Sequence, residues 1–375
     1  MVLTGAVATF FASKQPIIGA AGSVIDSKTK YQILESHMNP ERIVSGSKPS
    51  GELHIGNYFG AVKSWVELQD QYECFYFIAD YHALTEQWDP VALRTRRFQM
   101  ALDLLACGID PGRSVFFLQS DVPEHTELTW IFNCLTGFGD LERMTQFKDR
   151  KERLEQTDSF LSVGLFDYPV LQSADVLIYQ ATKVPVGEDQ LQHLELCRRI
   201  ARRFNSRFAP YFIEPEAILS DAPRIMSLAD PLKKMSKSYG DRHVIRLMEP
   251  EESLWEKIRN AVTDVGPRLE KMSPGVQNLF VLLRLVAPTR VYEELMTSYG
   301  NGTLRYEALK KTLFEYMLEA LRPIRERRKK LTEGDAKSAL EEGARRARTV
   351  ARETLREVRT RVGLGESPSG LSLSM

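Results

Sequence analysis

The sequence predicts an α/β fold: a parallel sheet with helical crossovers, followed by an all-helical region. Three observations carry this. Strand-like and helical patterns alternate from Arg42 to about residue 245, helices alone follow from about Pro250, and the first strand leads through a Gly, Ser and Pro loop directly into a helix. Strands alternating with helices of this length signal parallel pairing with right-handed crossovers.

Ile43-Val44 begins the first strand, and the stretch RIVSGSKPSGELHIGN carries it through a loop into a helical pattern from His54 onward. Small residues let the loop backbone approach a ligand, while the helix start offers unpaired N–H groups and a positive dipole end to an anion such as a nucleotide phosphate. The glycine spacing matches neither the dinucleotide fingerprint nor the Walker loop, so taken alone an ordinary strand-to-helix turn explains it equally well. Phe75 to Ala79 reads as a buried strand ending at Asp80-Tyr81-His82. Pro90 starts a helix running to about Gly108, with Phe98, Ala101, Leu104 and Leu105 at helical spacing. Ser114 to Leu118 is the next strand, and Glu124 to Leu135 the next helix, capped late by Gly137. Val176 to Tyr179 and Val184 to Val186 are further strand candidates beyond a charged region, Arg143 to Glu155. Functional loops of such sheets gather at the carboxyl ends of the strands, which puts the segments after Val44, Ala79 and Val186 on one rim.

The helical region reads as Glu251 to Val262, Val276 to Leu285, Arg290 to Tyr299 and Leu304 to Leu321. A last long helix, about Asp335 to Val362, lines up Ala344, Ala347, Ala351, Leu355, Val358 and Val362 on one face. Arg345, Arg348, Arg352, Arg356 and Arg359 run beside them, either as a solvated face balancing nearby glutamates or as a contact surface for a phosphate backbone. The expected organisation is an extension over residues 1–40, a sheet domain over 41–245, a helical region over 246–363 and a disordered Gly/Ser tail over 364–375.

With 375 residues and 43% hydrophobic content the chain has ample material for a buried core. Lys plus Arg equals Asp plus Glu at 50 each, so an anionic partner must be met by a local patch rather than by net charge. Cys74, Cys107, Cys134 and Cys197 never approach a CxxC spacing, which argues against structural zinc or a disulfide framework and fits reduced thiols in a cytoplasmic protein. No apolar run approaches the length of a membrane span. Residues 1–22 lack the Arg-rich character of an organelle presequence and the basic start of a secretory signal. A flexible extension, an unusual targeting segment and an upstream start codon with initiation at Met38 remain as readings of this stretch.

A second signal lies at Pro231 to Ser238, PLKKMSKS. Lysines and small hydroxylated residues in a short loop supply mobile charge and donors suited to a polyanion whose charge shifts during reaction. Alone this is a polar surface turn; paired with His54-Ile55-Gly56-Asn57 it is more. SGELHIGN and KMSKS resemble the two signatures of class I aminoacyl-tRNA synthetases. The blocks GDLERMTQFKD (139–149), YPVLQSADVLIY (168–179), VPVGEDQLQHL (184–194) and residues 225–238 are similar to tryptophanyl-tRNA synthetases of the bacterial type. The resemblance covers about Arg42 to Gly363.

It implies a Rossmann-like catalytic domain, a helical region that binds the tRNA anticodon, a homodimer, and L-tryptophan, ATP with its Mg²⁺ and tRNA(Trp) as partners. Tryptophan's carboxylate would attack the α-phosphorus of ATP, and a ribose hydroxyl of the tRNA would then take the tryptophanyl group. The nucleophile comes from the substrate, so the protein supplies positioning and stabilisation of negative charge. By this resemblance His54, Asn57, Lys234, Ser236 and Lys237 act on the phosphates, with Gly56. Adenosine rests against Gly56, the turn Gly187-Glu188-Asp189 and the backbone near Ile225 and Met235, with Glu188 or Asp189 accepting from the ribose. Mg²⁺ would arrive on ATP oxygens, with no protein metal cage.

Amino-acid choice rests on Asp175, an acid in an apolar stretch where an unpaired carboxylate is costly. The matching family residue accepts the indole N–H. Tyr168 and Gln190 match residues that hold the substrate ammonium, and Val44, His82, Val184 and Val186 match the pocket walls. Three residues depart from the family pattern: Lys48 stands where many members carry Gln, Gln172 where many carry Met beside the indole, and Arg150 where a Lys follows the TQFK block. Lys48 and Arg150 are placed with the ATP phosphates, and Gln172 with the indole. Tyrosine activation on the same fold and a non-catalytic paralogue binding tRNA or protein stand as alternatives.

Overall fold

The computed structural model describes residues 41–148, 152, 160–219, 223–264 and 271–365. Residues 1–40, Arg150 and most of the Gly/Ser tail, for which the sequence raises expectations, lie outside these. Five parallel strands, β1 (Arg42–Ser47), β2 (Glu73–Ile78), β3 (Val115–Leu118), β4 (Lys183–Val186) and β5 (Glu216–Leu219), lie in the order β3-β2-β1-β4-β5. β1 to β3 are laid down in one direction and β4 and β5 in the other, so the topology reverses between β1 and β4.

Strand alternation sorts the core into two layers. Cys74, Tyr76 and Ile78 face one side and pack with α3 (Pro90–Cys107) and with the helices after residue 250. Phe75 and Phe77 face the other, with α4 (Glu124–Asn133), α6 (Val163–Leu177) and α7 (Leu191–Arg207). The labels follow chain order: α1 spans residues 55–68, α2 is Asp80–Ala83 and α5 is Phe138–Glu142.

The helical region is α8 (Glu251–Arg259), α9 (Pro274–Val286), α10 (Thr289–Gly300), α11 (Tyr306–Lys330) and α12 (Glu333–Val362). Leu254, Leu283, Leu309 and Met317 share one hydrophobic cluster with Ile43 and Tyr76, so this region borrows a face of the sheet for its core. α12 returns along the edge strand β3, whose unpaired backbone would otherwise invite another strand. Gly343 permits this approach: a Cβ there would lie 1.7 Å from the carbonyl oxygen of Phe116. Ala344, Ala347, Ala351, Leu355 and Val358 of α12 are buried as the apolar stripe predicted. Its arginines follow the glutamate-balancing reading: Arg352 pairs with Glu124 at 2.9 Å and Arg359 with Glu127 at 2.5 Å.

Three sequence expectations are corrected. Val176 to Tyr179 is not a strand: α6 runs to Leu177 through Pro169, and its all-round burial gives a continuous apolar run that looks like a strand. Gly137 does not cap α4, which ends at Asn133 with Cys134 as its C-cap in ordinary helical conformation; Gly137 instead precedes α5 as its N-cap. α11 continues to Lys330, well past Leu321. β5 escaped the sequence reading because four half-exposed edge residues leave almost no periodic signal.

Candidate active site

In an open parallel sheet the adjoining loops part at the reversal of strand order and leave a crevice at the carboxyl ends. Here that place is the gap between β1 and β4, and it holds a cavity of about 530 Å³. Val44, Gly46 and Lys48 line it from the end of β1, and Val184, Val186 and Gly187 from β4. His82 comes from the segment after β2, and Tyr168, Gln172, Asp175 and Gln190 complete the predicted amino-acid pocket. All the residues assigned to tryptophan from sequence therefore meet in one space. α1 contributes Gly60 and Ala61 from a π-helical stretch, Tyr58–Val62, the kind of helical irregularity that gathers at functional sites.

Asp175 forms the floor. It is 1% exposed, and its Oδ1 accepts hydrogen bonds from Gln119 Nε2 at 2.7 Å and His125 Nδ1 at 2.6 Å, while Oδ2 lies 2.7 Å from His82 Nε2. Burial pushes its pKa up, but the hydrogen bond from His125 and the charge and hydrogen bond of His82 outweigh it and bring the value down to about 2. A carboxylate only accepts, so the facing nitrogens of both histidines carry the hydrogens. His125 Nε2 then accepts from the Tyr179 hydroxyl at 2.7 Å. Gln119 is oriented in turn, because its Oε1 accepts the backbone N–H of Tyr81 at 3.1 Å. Two donors fill Oδ1, whereas Oδ2 has one donor and a second lone pair.

The upper wall is polar. Tyr168 Oη is 2.8 Å from His193 Nε2, and Gln172 Nε2 is 3.4 Å from Gln190 Oε1. Burial, and then the charge of His82, lower the pKa of His193 to about 4. Gln190 also donates to Asp189 Oδ2 at 3.0 Å, and Gln146 Nε2 donates to the Asp189 carbonyl at 2.6 Å. Lys48 is paired within the cavity lining: its ammonium lies 2.6 Å from Oε1 of Glu86, which lines the same cavity.

The phosphate group of residues forms a second cluster beside this cavity. His54 precedes α1, and its backbone N–H donates to Asn57 Oδ1 at 3.2 Å. Burial, with the charges of Lys237 and Lys234, lowers the His54 pKa to about 4, so the ring is a neutral hydrogen-bonding group at neutral pH. Lys237 bridges the two signature segments, donating to the Glu52 carbonyl at 3.0 Å across 185 residues and approaching Ser50 Oγ at 3.5 Å. Its pKa is lowered, chiefly by burial. Lys234 is exposed, and Ser236 accepts from the Ser238 N–H at 3.3 Å. Gly51, at φ +120°, gives the turn that brings the opening loop under Lys237. Met235 N–H donates to the Ile225 carbonyl at 3.0 Å, so these two backbones pair with each other. Both of their side chains are buried. Asn278 of α9 holds Met226 from the helical region, an anchor with no motif to announce it.

Sequence reasoning thus located residues that line the cavity and missed their supports: Gln119, His125, Tyr179 and His193. Gln119 and His125 are ordinary core or helix residues in the chain, while Tyr179 and His193 fell inside matching blocks without a role assigned to them.

Residues 36–322 match the family model described as tRNA synthetases class I (W and Y), and the chain belongs to that family. Within it, the chain is of the bacterial tryptophanyl-tRNA synthetase type. It is 44% identical over 329 residues to the tryptophan–tRNA ligase of Caldanaerobacter subterraneus subsp. tengcongensis, covering 86% of this chain and 98% of the relative. It is 41% identical over 334 residues to that of Helicobacter pylori, covering 87% of this chain and all of the relative, 100%. The crystal structure of tryptophanyl-tRNA synthetase from Campylobacter jejuni complexed with ADP and tryptophan superposes with a TM-score of 0.76 at 36% identity, covering 86% and 100% of the two chains. That from Mycoplasma pneumoniae gives 0.77 at 37%, covering 87% and 99%.

Proposed function

We propose that this chain is a tryptophan–tRNA ligase that activates L-tryptophan with ATP and transfers it to tRNA(Trp). The observation that supports the amino-acid choice is Asp175: a buried, ionised carboxylate with one lone pair left on Oδ2, at the floor of a cavity walled by Val44, Val184 and Val186. An indole ring fits such walls, and its N–H fits that acceptor. A site built around a substrate hydrogen bond rejects an analogue lacking it by factors on the order of 10⁴. A tyrosine phenol could donate to the same oxygen, and what disfavours the alternative of tyrosine activation is the similarity to tryptophan–tRNA ligases.

Tyr168 Oη and Gln190 Oε1 are acceptors suited to the substrate ammonium. The substrate carboxylate then attacks the α-phosphorus; the new P–O bond forms as the bond to the pyrophosphate oxygen breaks. His54, Asn57, Lys234, Ser236 and Lys237 supply donors and positive charge as negative charge grows on the phosphates. Lys237 must exchange its carbonyl partner for phosphate oxygens, which suits a group that acts in the transition state. In the second step a ribose hydroxyl of the tRNA attacks the activated acyl carbon and AMP leaves. Among the described residues no cluster of three His, Cys, Asp or Glu side chains is placed to hold a metal ion. Mg²⁺ would be held by ATP oxygens and neutralise phosphate charge there.

The chain acts as a homodimer in this reading. Trp130, Phe138 and Val163 are each at least 70% exposed on α4, α5 and α6, helices that pack on one another, and such a patch suits a subunit interface. Among the described residues no helix is long and apolar enough to cross a membrane, and the cysteines are free, which supports a cytoplasmic enzyme. ATP–pyrophosphate exchange measured across the twenty amino acids tests the reaction, with exchange dependent on tryptophan expected. Sedimentation of the Trp130→Glu variant tests the dimer: a monomer is expected, and an unchanged mass would remove this patch from the interface.

A further inference from the structure

We propose that His125 is a positioning residue: clamped from behind by Tyr179, it fixes the plane of the Asp175 carboxylate and thereby sets the preference for a side chain bearing a ring N–H. The inference rests on Asp175 being the indole acceptor. His125 is 0% exposed and is not part of the cavity lining, so it reaches Asp175 from the core side. Both of its ring nitrogens are engaged, Nδ1 with Asp175 at 2.6 Å and Nε2 with Tyr179 Oη at 2.7 Å. Neither nitrogen can turn away without leaving a buried polar atom unpaired, which is unfavourable.

The clamp is itself held by aromatic packing. The Tyr179 ring stacks on Phe75 at 4.6 Å and meets Phe117 edge-on at 5.7 Å, and the His125 ring lies 6.0 Å from Phe77. The adjacent Glu124 pairs with Arg352 of α12 at 2.9 Å, which pins the start of α4 to the last helix. On the cavity side, His82 is more exposed and touches Oδ2 alone. The orientation of the carboxylate is therefore set by the two donors on Oδ1. Both are held from behind, Gln119 by the Tyr81 backbone N–H and His125 by the Tyr179 hydroxyl, and His125 adds the packing of its ring among Phe77, Phe117 and Tyr179, so its loss leaves Gln119 as the one donor on Oδ1. Loss of His125 would let the carboxylate rotate and misalign the free lone pair of Oδ2, with no loss of any group that touches the substrate.

The test is pyrophosphate exchange by the full chain with two substrates, L-tryptophan and its benzothiophene analogue, in which sulfur replaces the indole N–H. In His125→Leu the ratio of kcat/KM for tryptophan over the analogue should fall roughly tenfold or more, as expected for loss of an aligned hydrogen bond to a charged group. The KM for ATP should stay unchanged. His125→Asn, whose Nδ2 can stand in for Nδ1, should recover most of the ratio. Tyr179→Phe, which keeps the ring and its packing, should lower the ratio by a smaller factor and serves if the leucine variant does not fold. Equal losses for both substrates in these variants would mean a merely structural role and overturn the proposal. A wild-type ratio near one would instead remove Asp175 as the indole acceptor, and the proposal with it.

Discussion

The floor of the amino-acid pocket and the phosphate cluster beside it solve different problems with different materials. Around Asp175 both donors on Oδ1 are buried, and each is oriented by a further contact: Gln119 by the Tyr81 backbone, His125 by Tyr179. Around Lys237 the groups sit on loops and at a helix start, Lys234 is exposed, and the bridging lysine is bound to a backbone carbonyl. A network paired on its buried side is rigid because any rearrangement there strands a polar atom. A lysine on a loop can follow charge as it moves. Recognition of a fixed ring calls for the first, and stabilisation of a transient phosphorane for the second.

Asp175→Asn should break the recognition side most severely. The amide oxygen can still accept from Gln119 and His125, and His82 can present its other tautomer to the amide NH₂, so the fold should survive. The acceptor for the indole is lost, and kcat/KM for tryptophan should fall by about 10³ or more. Near-normal tryptophan-dependent exchange would end the assignment of Asp175.

Lys237→Ala should act on the other side, lowering kcat by roughly 10² while tryptophan affinity, measured by equilibrium binding, hardly changes. Equal losses in rate and affinity would show that Lys237 holds the ground state as well, and the contrast between the two regions would weaken.

Acid should destabilise the protein through a histidine in each region. His54 and His193 both have pKa values lowered to about 4, against 6.5 when unperturbed. Between those values the unfolded chain binds a proton that the folded one refuses. Their contribution is therefore complete above pH 6.5 and is lost as the pH falls toward 4, with a slope of up to about 1.4 kcal/mol per pH unit for each. His193→Gln should flatten the dependence of unfolding free energy on pH across that window, and an unchanged slope would mean that His193 is not buried as a neutral ring.

The smallest effect is expected at Lys48, which lies between the two regions. Its pairing with Glu86 is about one-third exposed on each side, so the pair itself contributes little. Lys48→Gln should change kcat/KM for ATP by less than about threefold. A loss of tenfold or more would mean that Lys48 releases Glu86 and joins the phosphate group, which would sharpen the boundary drawn here.

Much of this was legible in the chain because it is locally encoded. The opening strand, loop and helix, the KMSKS loop, the apolar stripe of α12 and the cavity-lining residues Val44, His82, Asp175 and Val186 all follow from periodicity, turn residues or matching blocks. Other features have no local signature. The buried helix α6 was misread at Val176 to Tyr179 because burial on all sides erases its period, and β5 is too short and too exposed to have one. Gly343 gives no sign in sequence that it meets the backbone of Phe116.

By itself, then, the sequence determined the α/β order of elements, the two signature loops and the identity of groups that line the cavity, since each is written in residues a few positions apart. Only the tertiary structure decided how those groups are held. The strand reversal that opens the cavity between β1 and β4, the return of α12 to the sheet edge, the pairing of Lys48 with Glu86 and the chain from Asp175 through His125 to Tyr179 join residues tens to hundreds of positions apart. Such contacts are fixed by the burial of the whole core, and no short stretch of sequence carries their geometry.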